Sequence, residues 1–377
     1  MGKKSLSIQH RGNNTVHYVH LVHSWDKETT MNTWRCRIIM LACLAAAFCG
    51  FAAHAAEPPV AAPKPDASAA YCDAGQFDVG VMVCDWTDAK RNRPVPARIY
   101  YPKTSAGPFP LIIFSHGLGG TLDGYEYLGR HWAGHGYVCV HPQHKGSDDE
   151  VWRNKPDPMK SMQKAVNDYR NGISRPKDVT FAIDQMEKLN GGDPVLKGRV
   201  DMKRIGVAGH SFGAYTALAS AGQVFSGPLG IKVSFADPRV TAAIPMSAPF
   251  NKGQDPRKCF AKFATPCLHM TGTLDASPIG ETSAEQRRIP YDSISGADQY
   301  LITFTGGDHM IFSGRGSNLS VTAKDAAFQR LIRTSSIAFW DAYLKDDAKA
   351  KAWLADGGCE KLLGKDGTFE KKLLPAK

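Results

Sequence analysis

The sequence predicts an α/β fold, a mostly parallel central sheet with helices packed on both faces. Three observations carry this. Short continuous apolar runs, such as Leu111–Ser115 and Ile205–Ala208, have the character of strands buried on both sides. Segments with helical spacing alternate with those runs along the chain. The composition (377 residues, 43% hydrophobic, 22% charged, 36 Gly and 23 Pro) excludes a disordered, collagen-like or coiled-coil chain. With no internal repeat and no second composition regime, one domain is expected over residues 71–377.

Residues 1–56 stand apart. Arg35-Cys36-Arg37, the apolar stretch Ile38–Ala53 and the small residues Ala53-His54-Ala55-Ala56 are the three parts of a secretory signal peptide. The stretch falls short of the about 20 residues a membrane span needs. Cleavage is expected after Ala55 or Ala56, which makes the protein secreted or periplasmic. Residues 1–30 are polar, His-rich and aperiodic. Met31 would open a signal peptide of normal proportions and is a candidate for the true start; a long n-region is the alternative.

The formal charge of +10 changes meaning once this leader is set aside. Six of the 46 basic and two of the 36 acidic residues precede residue 57, which leaves +6. No block of five or more Lys/Arg remains, so a nucleic-acid partner is not expected. Of nine Cys, Cys36, Cys43 and Cys49 leave with the leader, and six stay. An even number in an exported protein permits disulfides. Cys72–Cys84 and Cys259–Cys267 are the expected local pairings, with Cys139 a buried free thiol in an apolar strand.

In chain order, residues 57–70 are an Ala/Pro-rich flexible lead-in. Phe77–Cys84 and Pro96–Tyr101 are predicted as antiparallel edge strands and Leu111–Ser115 as a central strand. A helix over Tyr125–Ala133 and a buried strand over Tyr137–His141 follow. Val179–Leu189 is helical, with Val179, Ala182, Ile183 and Met186 on one face. Strand Ile205–Ala208 precedes a small-residue helix over Ala214–Gly222. Thr241–Met246, Pro266–Met270 and Tyr300–Phe304 repeat the strand signal, and Asp325–Leu344 closes the fold as an amphipathic helix. The polar stretch 145–176 is long for a strand–helix connection. It reads either as a lid whose Trp152, Met159 and Met162 line a pocket, or as a surface excursion with buried anchors.

Gly209-His210-Ser211-Phe212-Gly213 sits between a strand and a helix. In that context Gly-x-Ser-x-Gly forms a sharp turn that presents the Ser hydroxyl above a helix N-terminus. A nucleophilic Ser needs a base, and the base needs an orienting acid. The chain order Ser, acid, His selects Asp275, in the loop after Pro266–Met270, and His309, in Gly306-Gly307-Asp308-His309. Asp308 competes as the acid, but a direct neighbour of the His reaches its Nδ1 poorly and is expected to shape the turn. His210 is expected to point away from the reacting carbonyl. The two backbone donors that hold an oxyanion are assigned to Phe212 and, in His116-Gly117-Leu118-Gly119-Gly120, to Leu118. His116 is expected to brace that loop. His141-Pro142-Gln143-His144 lacks the carboxylate or Cys company of a zinc site. Gly117–Gly120 lacks the spacing of a dinucleotide loop. Neither cofactor nor metal is expected.

These residues resemble the α/β-hydrolase superfamily over nearly all of 71–345. Phe114-Ser115-His116-Gly117-Leu118-Gly119-Gly120, Gly209–Gly213 and Gly306–His309 look like its branch of predicted dienelactone hydrolases and platelet-activating-factor acetylhydrolase-like esterases. The resemblance implies an α/β-hydrolase fold, a triad of Ser211, Asp275 and His309, oxyanion donors Leu118 and Phe212, and cofactor-free hydrolysis of carboxylic esters. Ser211 departs from the Cys nucleophile of true dienelactone hydrolases. The expected function is that of a secreted serine esterase acting on a small-molecule or lipid ester. A phospholipase-like acyl hydrolase and an aromatic polyester hydrolase are the enzymatic alternatives, and a non-catalytic hydrolase-fold binding protein is the alternative of another class.

Overall fold

The parallel strands share a single sheet because their side chains alternate between two apolar layers. A computed structural model of the chain describes residues 5–9, 15–19, 71, 75–277, 279–314 and 323–375. They belong to one compact unit, Met1–His20 with Ala67–Lys377. The segments expected as signal peptide and lead-in, and Cys72, lie outside the described residues.

The strands are β1 (Ser5–Gln9), β2 (Thr15–Val19), β3 (Val79–Asp85), β4 (Ala97–Pro102) and β5 (Phe109–Ser115). After helix α1 (Glu126–Gly134) come β6 (Val138–Pro142), α2 (Pro158–Asn167), α3 (Tyr169–Gly192) and β7 (Val200–His210). Then follow α4 (Phe212–Ala221), β8 (Val240–Met246), β9 (Cys267–Leu274), β10 (Gln299–Asp308) and α5 (Ala323–Leu344). Helices α6 (Ala348–Ala355) and α7 (Gly358–Leu363) and strand β11 (Gly367–Lys372) close the chain. The sheet has 11 strands in the order β1-β2-β3-β4-β6-β5-β7-β8-β9-β10-β11. The run from β6 to β10 is parallel; the strands outside it pair antiparallel.

Strand β5 explains the layering. Leu111 and Ile113 face one core, with Val179, Ile183 and Met186 of α3 and Ala214 and Leu218 of α4. Ile112 and Phe114 face the other, with Leu128 and Trp132 of α1 and Phe339 and Trp340 of α5. Each large side chain buried this way stabilises the fold by about 1.5–3 kcal/mol. The continuous apolar runs are therefore the parallel strands, as the sequence indicates.

Four features differ from expectation. β3 is not the sheet edge, because the hairpin β1–β2 pairs with it through Thr15–Tyr18; Thr15-Val-His-Tyr-Val has the period-2 pattern of a strand inside a segment expected to be aperiodic. β11, which was not expected, forms the opposite edge, its Glu370 and Lys371 paired with Arg288 and Glu360. The polar stretch 145–176 is not a loop: it holds a 3-10 turn, α2 and the first turns of α3. Asp157 and Asp168 cap the two helices through Lys160 N–H and Arg170 N–H. Finally, Cys84, Cys259, Cys267 and Cys359 are free and buried, as is Cys139, for which this was expected. This overturns the Cys259–Cys267 pairing; of the other expected pair, Cys84 is free and Cys72 lies outside the described residues. Cys267 opens β9, where its thiol meets the Thr265 carbonyl, whereas Cys259 lies in the helix Pro256–Phe260 against Gln254. Cys84 is seated in the core between β3 and β4.

Candidate active site

The predicted site residues lie at the carboxyl ends of the parallel strands. β7 ends at His210 and α4 starts at Phe212, so one residue makes the reversal. Ser211 takes φ 57° and ψ −117°, a conformation that persists only where the surroundings over-determine it. Packing does so here. A Cβ on Gly213 would stand 1.8 Å from the Ser115 carbonyl oxygen, and one on Gly209 would stand 2.3 Å from that of Gly213. Ser211 N–H donates to the Met246 carbonyl at 2.9 Å, which ties the turn to β8.

His309 follows β10 and Asp275 follows β9. His309 Nε2 lies 3.0 Å from Ser211 Oγ, and its Nδ1 lies 2.8 Å from Asp275 Oδ1. Asp275 is fully buried and satisfied from several sides: Ser247 Oγ donates to Oδ1 at 2.7 Å and Thr271 Oγ1 to Oδ2 at 2.9 Å. The Arg287 guanidinium forms an ion pair with Oδ1 at 3.4 Å and donates to the carbonyls of Asp275 and Ser247. Burial lowers the pKa of Arg287, and Asp275 opposes that shift. The arrangement can pass a proton from Ser211 to His309 while Asp275 fixes the imidazole.

The structure brings together Ser211, Asp275 and His309. It also places Phe212 as the first residue of α4 and Leu118 in the loop after β5, beside the Ser211 turn. His116 braces that loop, as expected: its Nδ1 meets the Gly117 carbonyl at 2.7 Å, and its Nε2 accepts from His144 N–H at 3.0 Å. Burial and nearby Arg175 hold its pKa well below the usual range, so the ring is neutral. Asp308 shapes the turn by accepting from Met310 N–H at 2.8 Å. His210 is buried, with Nδ1 at 2.8 Å from the Tyr125 hydroxyl and its ring centroid 4.7 Å from that of His309. Burial and the nearby His309 and Arg287 push its pKa well down.

His144 belongs to a different construction. Its Nδ1 lies 3.0 Å from Asp178 Oδ2 and its Nε2 3.0 Å from Ser115 Oγ. Asp178 is shared with Arg91 and Arg93 at 2.8 and 2.9 Å. Burial and the Arg175 charge bring His144 down to about 3, so a neutral ring donates to Asp178 and accepts from Ser115. The contacts repeat those of Ser211, His309 and Asp275, but all three residues are sealed from solvent and serve as a brace. Among the described residues, no group of three or more His, Cys, Asp and Glu is placed to hold a metal ion.

Ser247, Thr271 and Arg287 were not foreseen. Ser247, at the carboxyl end of a parallel strand, carried a positional signal; Arg287 carried none. Of the residues named for a pocket wall, Trp152 donates from Nε1 to the Gly119 carbonyl at 2.8 Å, Met162 lies beside Gly119, and Met159 is exposed.

A model of the PET hydrolase-like family matches residues 53–357. The chain belongs to that family. This PET hydrolase-like chain is 24% identical over 305 residues to platelet-activating factor acetylhydrolase of Cavia porcellus, covering 71% of this chain and 66% of the relative. It is 26% identical over 171 residues to cutinase cut1 of Thermobifida fusca, covering 45% and 46%. It is 28% identical over 125 residues to cutinase est2 of Thermobifida alba, covering 33% and 34%. The PET hydrolase-like chain thus spans no more than 66% of the length of these relatives. No helix among the described residues is long and apolar enough to cross a membrane.

Proposed function

We propose that the protein is an exported serine esterase that hydrolyses carboxylic esters. The observation that carries this reading is the chain of contacts Ser211 Oγ–His309 Nε2 at 3.0 Å and His309 Nδ1–Asp275 Oδ1 at 2.8 Å, with Ser211 held at positive φ. His309 removes the Ser211 proton as Oγ attacks the ester carbonyl. The N–H groups of Leu118 and Phe212 hold the oxyanion, and Asp275 stabilises the imidazolium. Collapse of the tetrahedral adduct breaks the ester C–O bond, and His309 gives its proton to the departing alcohol. A water, deprotonated by His309, then releases the acyl group as a carboxylic acid and restores Ser211.

Membership of a PET hydrolase-like family, with relatives named cutinase and platelet-activating factor acetylhydrolase, supports an ester as the substrate. Leu274 and Met310, the neighbours of Asp275 and His309, are 63% and 42% exposed. Apolar groups flanking the site on an open face favour an ester with an apolar acyl or alcohol part. Export is supported by the n-region, apolar stretch and small-residue site of residues 35–56.

Ser211→Ala is expected to abolish hydrolysis of p-nitrophenyl butyrate and labelling by a fluorophosphonate probe, with the thermal midpoint within a few degrees of the parent. Undiminished turnover in this variant would sink the assignment. A parent protein that neither turns over esters nor reacts with the probe would favour a hydrolase-fold binding protein. Short-chain esters, phospholipid vesicles and polyester film, compared side by side, separate the substrate classes.

A further inference from the structure

One buried side chain that takes no part in the proposed chemistry reaches several segments around the Ser211 turn. Arg175 lies in the second turn of α3 and is completely buried. Its Nε donates to Thr216 Oγ1 at 2.8 Å, and that hydroxyl donates to the Phe212 carbonyl at 2.8 Å. The guanidinium carbon lies over the Phe212 ring, 4.6 Å from its centroid. Its Nη2 donates to the His116 carbonyl. Its Nη1 donates to Ser147 Oγ at 2.8 Å, and the Ser147 carbonyl accepts from Gly119 N–H at 2.9 Å.

We infer that Arg175 is the positioning residue of the oxyanion pocket, one guanidinium that fixes the two backbone segments carrying Leu118 and Phe212. The inference rests on the ester-hydrolase reading above. Leu118 is held from both sides, through the His116 carbonyl before it and the Gly119 N–H after it. Phe212 is held by its ring and, through Thr216, by its carbonyl. These segments come from loops after different strands, so their mutual distance is not set by either element alone. A planar fork with five donors in fixed directions can span both; a Lys ammonium cannot.

The charge of Arg175 adds a second reason. Among the described residues, no carboxylate forms an ion pair with it, and its hydrogen bonds go to neutral oxygens. Burying such a cation is costly. Burial lowers its pKa to about 9, so it stays protonated at neutral pH. Asp178 and Asp148 lie near enough to oppose that shift without pairing with it, and a positive charge held over the Phe212 ring favours negative charge that develops only in the transition state.

The test uses the full chain with Arg175→Met, Arg175→Lys and Thr216→Val, assayed on p-nitrophenyl butyrate with active sites titrated by a fluorophosphonate. Arg175→Met is expected to lower kcat per titrated site about 100-fold or more with KM changed less than about threefold. Affinity for a boronic acid, which forms a tetrahedral adduct on Ser211, should fall by the same factor as kcat/KM. Arg175→Lys should recover part of the loss. Thr216→Val, which keeps the guanidinium and removes one tie to Phe212, should cost about tenfold with little change in thermal midpoint. If Arg175 were merely structural, the titre of active sites would fall while kcat per site stayed at the parent value, and that result would overturn the inference. If Arg175→Met does not fold, an unchanged kcat in Thr216→Val overturns it instead. A parent protein without ester turnover removes the hydrolase reading itself; an active parent with indifferent variants removes only the role of Arg175.

Discussion

Arg287, packed on Asp275, shows how a residue that anchors a site escapes a sequence reading. Ser211, Asp275 and His309 were legible because chain order and strand-end position single them out among many residues of the same types. Arg287 sits in a polar run, Glu285-Gln286-Arg287-Arg288, and nothing local separates it from its solvated neighbour Arg288. Only tertiary packing seals it, at 1% side-chain exposure beside an Asp275 carboxylate at 0%. The same holds for Arg175, whose neighbours in α3 include exposed Lys177. Breaking a buried ion pair by removing one partner leaves the other charge uncompensated and costs about 3–5 kcal/mol. Arg287→Met should therefore lower the urea-derived stability by about 3 kcal/mol or more. It should also reduce ester turnover, since the Ser247 and Asp275 carbonyls lose their donor and Asp275 loses an anchor. A variant with parent stability would mean that the guanidinium is not held where the geometry has it.

Elements were legible in proportion to how strongly one face is apolar. The apolar centres of the parallel strands were found, but β7 begins at Val200 rather than Ile205, β9 and β10 run on to Leu274 and Asp308, and α4 begins two residues before the expected Ala214. The start of α3 was missed because its first turns carry Tyr169, Arg170 and Asn171, and because Pro176 lies inside the helix. Pro breaks a helix by removing an N–H, but a single missing donor is tolerated where the surrounding turns are packed. β11 was invisible for the opposite reason: Gly-Thr-Phe-Glu-Lys-Lys is an edge strand with little to bury. The turn at Ser211 is the element most sharply constrained. Gly213 is required by close approach, since any Cβ would enter the Ser115 carbonyl oxygen. Gly213→Ala must push β5 and α4 apart or unwind the first turn of the helix. Its expected cost is on the order of 3 kcal/mol, with loss of fluorophosphonate labelling at temperatures where the chain is still folded. Full labelling in Gly213→Ala at parent rate would show that the turn has room for a Cβ beside the Ser115 carbonyl.

At the scale of the whole molecule, the parallel order and the two apolar layers followed from the alternation of strands and helices, whereas the free thiols did not. Cysteine parity says what can pair, and only three-dimensional position says what does. Position also fixes the charge of the histidines. His116, His131, His141, His144, His210 and His269 are buried, and desolvation depresses the pKa of each. His131, His141 and His144 fall to about 3 and His269 to about 4. In the unfolded chain the same imidazoles titrate near 6.5. Below that pH the unfolded state takes up protons that the folded state refuses, so it binds more protons and stability falls as pH falls. The window runs from about 6.5 down to the folded values near 3–4, at up to roughly 1.4 kcal/mol per unit for each imidazole. Among buried residues the carboxylates with lowered values, Asp88, Asp178 and Asp237, add their own loss only in the acid range below the usual carboxylate pKa. The urea midpoint should accordingly be flat from pH 8 to 7 and drop steeply between pH 6.5 and 5, before carboxylate titration begins. The decisive measurement is equilibrium unfolding at pH 7.5 and 5.5 followed by intrinsic fluorescence. Equal midpoints at the two values would mean that these rings gain their protons without unfolding, and that the packing around His144 and His116 admits charge.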